Sequence, residues 1–161
     1  MDTRAVAREN QIVADPSFKG LYRASGVSAL IAGTLFLFEL FGLLALGPQP
    51  DTAAGWFGLI QSKTLLYVGS ESMDIAAIIF LVPMFLALYA ILRQVNRTYM
   101  TIATALAGIG ISLYLATNTV LSMLSLSYQY VAATNDAQRA IYMAAGQAII
   151  AIGAGTGSVM W

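Results

Sequence analysis

Four almost uncharged stretches, each long enough to cross a lipid bilayer, constrain this chain more than any other feature. They cover residues 26–46, 75–92, 101–126 and 140–161, and Glu39 in the first is the only Asp, Glu, Lys or Arg within them. A helix needs about 20 apolar residues to cross the roughly 30 Å hydrocarbon core of a membrane. The sequence therefore predicts an all-α integral membrane protein with four transmembrane helices.

The composition agrees with this class and excludes several chemistries. Charged residues make up 10% of the chain, against about 25% in soluble proteins. The formal net charge is zero, which gives no reason to expect a nucleic-acid partner. The chain has no cysteine and no histidine, so we expect no thiolate or imidazole metal site, no histidine-based catalytic residues and no cofactor. An enzyme comes third among the functions considered.

The distribution of basic residues predicts the orientation of the chain. Basic residues near the ends of membrane helices favour the cytoplasmic side. Lys63 and Arg139 lie on one predicted side, and the other side carries six basic residues: Arg4, Arg8, Lys19, Arg23, Arg93 and Arg97. We therefore expect residues 1–25 to form a cytoplasmic arm and residues 26–161 an up-down bundle in the inner or plasma membrane.

The first external loop contains a second helical pattern. Apolar residues recur at near-helical spacing over 54–68, with Gln61, Ser62 and Lys63 between them. This pattern predicts a short amphipathic helix that lies in the outer interface of the membrane. A gating or re-entrant role for the same segment is the alternative.

Glu39 is the strongest candidate for a functional residue. A carboxylate at this depth costs a few kcal/mol, and such residues usually face other helices or a water-filled cavity. One interpretation is a proton carrier or a carboxylate that binds a cation or amine. The other is a carboxyl group that only hydrogen-bonds to a neighbouring helix.

Three polar residues on three predicted helices fall at similar depth. At about 1.5 Å per residue, Glu39, Asn118 and Gln147 lie about 10–12 Å below the external interface, and Pro83 is near the same layer, where it is predicted to kink its helix. We expect a buried polar cluster or a small outward-facing pocket. The alternative is ordinary hydrogen bonding between membrane helices, which is common and weak.

Small residues predict the surfaces at which helices pack. Gly108 and Ser112 belong to a stripe of small residues along the third stretch, and Gly153 and Gly157 form a GxxxG motif in the fourth. Such residues let two helix backbones approach closely. We expect both faces to contact another helix, either of this chain or of a partner.

Two segments resemble a bacterial family of multi-helix membrane proteins that is known only as a domain of unknown function. They are LALYAILRQVNRT at residues 86–98 and DAQRA at residues 136–140. The resemblance implies a helical bundle with further spans after the fourth, and it brings no activity. We expect either that the chain is truncated after Trp161 or that the fourth helix ends there at the interface.

Two functions follow from these patterns. The first is a non-catalytic accessory or structural subunit of a membrane assembly, held by lipid and by partner helices in a homo-oligomer or a larger complex. The alternative is a small transporter or ligand-binding membrane protein that uses Glu39 in an outward-facing polar pocket.

Overall fold

The computed structural model describes residues 16–156, and every regular element in that range is helical. A single 3₁₀ turn at Pro16–Phe18 precedes the α-helices. These are α1 at Lys19–Leu46, α2 at Ala53–Ser62, α3 at Thr64–Leu92, α4 at Arg97–Thr117, α5 at Val120–Ala132 and α6 at Asp136–Thr156. The all-helical class predicted from the sequence is therefore confirmed for the described residues.

Three helical stretches are long and apolar enough to cross a membrane. They are Pro16–Leu46, Thr64–Leu92 and Arg97–Ala132, which joins α4 and α5. The fourth predicted stretch, 140–161, extends beyond the described residues, and α6 is not among the three candidates found within them. Four spans in an up-down bundle therefore stay a prediction, as does the cytoplasmic arm of residues 1–25, most of which lies outside the described range.

Helix α3 begins eleven residues before the stretch 75–92 that was predicted to span the membrane. The uncharged stretch begins after Asp74, whereas the helix begins ten residues earlier, at Thr64. As a result, Glu71 and Asp74 lie within a 29-residue apolar helix instead of in a loop. Pro83 also lies inside α3, which continues through it.

Lys63 separates α2 from α3. Its backbone is not helical, with φ −133° and ψ 38°, and its N–H donates to the Leu59 carbonyl at the end of α2. Its Nζ donates to the Ala45 and Leu46 carbonyls, both at 2.8 Å. A cation at the C-terminal end of a helix interacts favourably with the helix dipole. Lys63 therefore both ends α2 and caps α1, and the helix predicted at 54–68 is divided at this residue.

The apolar face of α2 forms the centre of the main core. Ala53, Phe57 and Ile60 are at most 2% exposed, and α2 packs against α5 and α6. The Phe57 ring lies 5.3 Å from the Tyr130 ring of α5. The short helix that the sequence predicted thus exists, and its apolar face is covered by protein.

The stretch 101–126, predicted as one helix, is broken at Asn118 and Thr119. The Asn118 Oδ1 atom accepts a hydrogen bond of 3.1 Å from the Val120 N–H at the start of α5. Short polar side chains compete in this way with the helical hydrogen bonds of the backbone. The break therefore has a local cause that a hydropathy pattern does not detect.

The chain divides into two compact units. Within the described range the first unit contains residues 16–35 and 75–116, and the second contains residues 36–74 and 117–156. In the first unit, the guanidinium of Arg93 lies 4.9 Å from the centre of the Phe18 ring, so the end of α3 is beside the start of α1. The second unit holds the core around α2.

Gly146 on α6 permits the closest approach to α2. A Cβ atom at this position would lie 2.8 Å from Phe57 Cζ and 3.0 Å from Ala53 Cβ. Both neighbours are fully buried, so neither can move away without disturbing the core. Glycine is therefore required here by packing, although its backbone conformation is ordinary.

We predict that Gly146→Ala destabilises the protein, whereas Gly110→Ala does not. Overpacking a core costs about 1–3 kcal/mol, which exceeds the roughly 1 kcal/mol that alanine gains over glycine in a helix. A Cβ atom at Gly110 meets nothing within 4 Å, so in this control only the higher helix propensity of alanine changes the stability. Thermal unfolding in a lipid nanodisc measures both, and equal melting temperatures for the two variants would contradict the packing described.

Candidate carboxylate site

Three carboxylates of the second unit lie within electrostatic range of one another. Glu39 is on α1, and Glu71 and Asp74 are on α3; all three are partly buried. Glu39 interacts electrostatically with Asp74, and Glu71 interacts with both of the others. Residues three apart project from the same side of a helix, which explains how Glu71 and Asp74 come to share one face of α3.

A close contact between α1 and α3 brings these carboxylates together. A Cβ atom at Gly42 would lie 2.8 Å from Ser70 Cβ and 3.6 Å from Ser70 Cα. Only glycine at this position allows the two helices to approach so closely. Ser70 is buried, and its hydroxyl donates to the Leu66 and Tyr67 carbonyls of its own helix. The contact lies one turn from Glu39 and one residue from Glu71.

The carboxylates have no basic partner in the part of the chain that the structure describes. Among residues 16–153, no lysine or arginine forms an ion pair with Glu39, Glu71 or Asp74. The Asp74 Oδ2 atom is buried and has no hydrogen-bond partner in the same range. Burying a charge without a partner is unfavourable, so these groups are suited to accept a proton or to attract a small cation.

The described residues do not form a metal-binding site. No group of three or more Asp, Glu, His or Cys side chains there could hold a metal ion. The three carboxylates are therefore close enough to interact electrostatically, but they are not arranged to bind one metal ion together.

A small cleft in the second unit opens beside Glu71. It is also lined by Trp56, Tyr67 and Gln49, with leucines of α1 and α2 around them. The Trp56 and Tyr67 rings meet edge to face, with centroids 6.2 Å apart. The enclosed volume is about 10 Å³, which is near the minimum for one water molecule. The cleft thus combines a carboxylate, two aromatic rings and an amide around a space about the size of one water molecule.

The structure gives Asn118 and Gln147 separate backbone partners. The Gln147 Oε1 atom accepts a hydrogen bond of 3.2 Å from the Ala53 N–H in the first turn of α2, and Asn118 bonds to Val120 as described above. No hydrogen bond in the described residues joins either of them to Glu39. A shared polar cluster of the three residues stays a prediction, while the acids found near Glu39 are Glu71 and Asp74.

The predicted packing residues have different surroundings. A Cβ atom at Gly108 would meet nothing within 4 Å, and the Ser112 hydroxyl donates to the Gly108 carbonyl within α4. Gly153 is buried, and Gly157 lies outside the described residues. Contact of these faces with another helix therefore stays a prediction, as does a kink at Pro83. Gly42 and Gly146, by contrast, lie against side chains of neighbouring helices.

No protein-family model, curated protein or solved structure matches the chain. The resemblance to the family of unknown function therefore remains a prediction based on the two segments that carry it.

The sequence contained a signal for the two acids that the hydropathy pattern missed. The apolar residues that follow Thr64 continue the helical pattern into the uncharged stretch 75–92, with Glu71 and Asp74 at a spacing of three. Helical periodicity, used in place of the absence of charge, would have started the span earlier. Both acids would then have been predicted inside it.

We predict that Gln147→Leu lowers the free energy of unfolding by about 1–3 kcal/mol, because it leaves the buried Ala53 N–H without a partner. Gln129→Leu is the matched control, since Gln129 is exposed and bonds only to Ser125 on its own helix. Its effect should stay within about 0.5 kcal/mol. Denaturant unfolding in mixed micelles measures both variants. Equal losses in the free energy of unfolding would show that the hydrogen bond between α6 and α2 does not stabilise the protein.

Proposed function

We propose that this chain is a non-catalytic accessory or structural subunit of a membrane assembly. The observation that supports the proposal is the open small-residue face of α4. No residue of α4 is buried, and a Cβ atom built at Gly108 would have no atom of another helix in the described residues within 4 Å. A face of this kind gains close van der Waals contact only when another helix covers it.

The opposite face of α4 suits lipid. Leu106 and Leu113 are 62% and 59% exposed, and their long side chains resemble the acyl chains they would contact. Gly108 and Ser112 lie on the other side of the helix and offer lipid little surface. The two faces therefore differ in the way expected for a helix between lipid and a partner.

The proposed location is the inner or plasma membrane, with the N-terminus in the cytoplasm. The support is the bias of basic residues, since Lys19 and Arg23 lie in the first turns of α1, and Arg93 and Arg97 flank the turn between α3 and α4. The partner helix belongs either to a second copy of this chain or to another subunit.

Spin labels on α4 test the proposal, because the chain has no native cysteine. In native membranes, a nitroxide at Ser112→Cys should be shielded from dissolved oxygen, and one at Leu106→Cys should be accessible. The shielding should disappear in nanodiscs that hold one copy of the chain.

Equal oxygen accessibility of the two labels in native membranes would overturn the subunit proposal. Shielding of the Ser112 label that persists in single-copy nanodiscs would also overturn it, because the chain's own residues would then cover this face. A crosslinker at Ser112 identifies the partner by the mass of the product.

The second candidate function is a small transporter or ligand-binding membrane protein. It is favoured by the cleft at Glu71, which lies within electrostatic range of Glu39 and is lined by two aromatic rings. Aromatic faces and carboxylates both attract cations. The cleft has room for about one water molecule, so the ligand proposed is a proton carried by water or a small monovalent cation.

We predict that, under this second function, Glu39→Gln and Glu71→Gln each abolish proton or cation flux in liposomes while the fold is kept. Glutamine preserves the shape of the side chain and cannot exchange a proton. Asp136→Asn is the control, since Asp136 is fully exposed and pairs with Arg139. Absence of flux in the wild type, or flux that persists in the double glutamine variant, would remove the transporter interpretation.

A further inference from the structure

The charged side chains in the described part of the first unit have one sign. Its described residues, 16–35 and 75–116, contain no Asp or Glu, and their four charged side chains are Lys19, Arg23, Arg93 and Arg97. We call these four residues the basic end. None of them forms an ion pair with a carboxylate of the described residues.

Arg93 connects the start of α1 with the end of α3 through contacts with aromatic rings. Its guanidinium lies 4.9 Å from the centre of the Phe18 ring and 5.8 Å from that of Tyr89. Phe18 also contacts the ring of Tyr22. Cation–π contacts of this kind fix the guanidinium plane and leave its N–H groups free to donate. The start of α1 and the end of α3 thus present their cations at the same place.

The turn into α4 adds to the positive potential. The Tyr89 hydroxyl interacts with the side chains of Arg97 and Thr101, which ties Arg97 to α3. The Asn96 Oδ1 atom accepts from the Tyr99 N–H and caps the first turn of α4. Both α1 and α4 begin at this end, and the N-terminus of a helix carries partial positive charge.

Apolar surface begins directly beyond the basic end. Val27 and Leu30 on α1 are 59% and 75% exposed, Leu88 on α3 is 41% exposed and Ile102 on α4 is 52% exposed. Cations at one level and apolar side chains at the next match the arrangement of a phospholipid, in which a charged phosphate is followed by acyl chains. A free anion would use only the first of these two features.

We propose that the basic end binds the headgroup of an anionic phospholipid, with Arg93 and Arg97 as the principal phosphate ligands and Lys19 and Arg23 as supporting cations. Guanidinium groups are suited to phosphate because their planar donors match its oxygens in pairs. The proposal does not depend on the function proposed above, since either a subunit or a transporter can carry such a site.

The test uses the full chain in nanodiscs of phosphatidylcholine alone or mixed with phosphatidylglycerol. The wild type should bind phosphatidylglycerol preferentially, measured as retained lipid by native mass spectrometry and as a rise in melting temperature. Each cation near an anionic surface contributes about 1 kcal/mol, so each arginine removed should weaken the preference about fivefold. The variant is the double change Arg93→Gln and Arg97→Gln.

Arg139→Gln is the matched control, because Arg139 belongs to the second unit and already pairs with Asp136 at 3.9 Å. It should keep the full lipid preference. Equal preference for phosphatidylglycerol in the wild type and the double variant would overturn the proposal, and so would an equal loss in the control.

Two further measurements keep the proposal falsifiable if the double variant does not fold. The preference of the wild type should fall with added sodium chloride, as expected for exposed charges, and a preference independent of salt would overturn the proposal. Inorganic phosphate at millimolar concentration should not raise the melting temperature in phosphatidylcholine. A rise equal to that given by phosphatidylglycerol would identify a site for free anions and overturn the assignment to lipid.

Discussion

Backbone amides and carbonyls in apolar surroundings need hydrogen-bond partners within the protein, and this requirement explains how several polar side chains of this chain are used. Lys63 supplies donors to the last carbonyls of α1. Gln147 and Thr52 accept from amides at the start of α2, and Asn118 accepts from the first amide of α5. The short helix α2 can be buried between α5 and α6 because its ends are satisfied in this way.

The same requirement shows what the sequence could and could not predict. Hydropathy identified the helical class and the long apolar helices, since both depend only on composition over about 20 residues. It did not locate the breaks at Lys63 and Asn118, because these are made by individual side chains bonding to the backbone. It also placed Glu71 and Asp74 outside the long apolar helix α3, since a rule based on absence of charge cannot include a charged residue.

The two units differ in the way their charges are used. In the first, cations surround a stacked Arg93 and no described carboxylate balances them. In the second, Glu39, Glu71 and Asp74 lie near one another without a basic partner. Within the described residues, neither group pairs with charges of the opposite sign. Like charges near one another repel, so each cluster would gain stability from a bound ion of opposite charge or, for the carboxylates, from a proton.

The burial of α2 also determines the order in which the second unit can be completed. Gln147 follows Ala53 by 94 residues, and Ser127 follows Phe57 by 70. At usual rates of synthesis the ribosome needs about 5–20 seconds to cover the longer distance. During that interval Phe57 and Ile60 have no protein cover from α5 or α6, and a nascent chain interrupted there would expose them. The apolar face that stabilises the finished protein is therefore exposed for part of its biosynthesis.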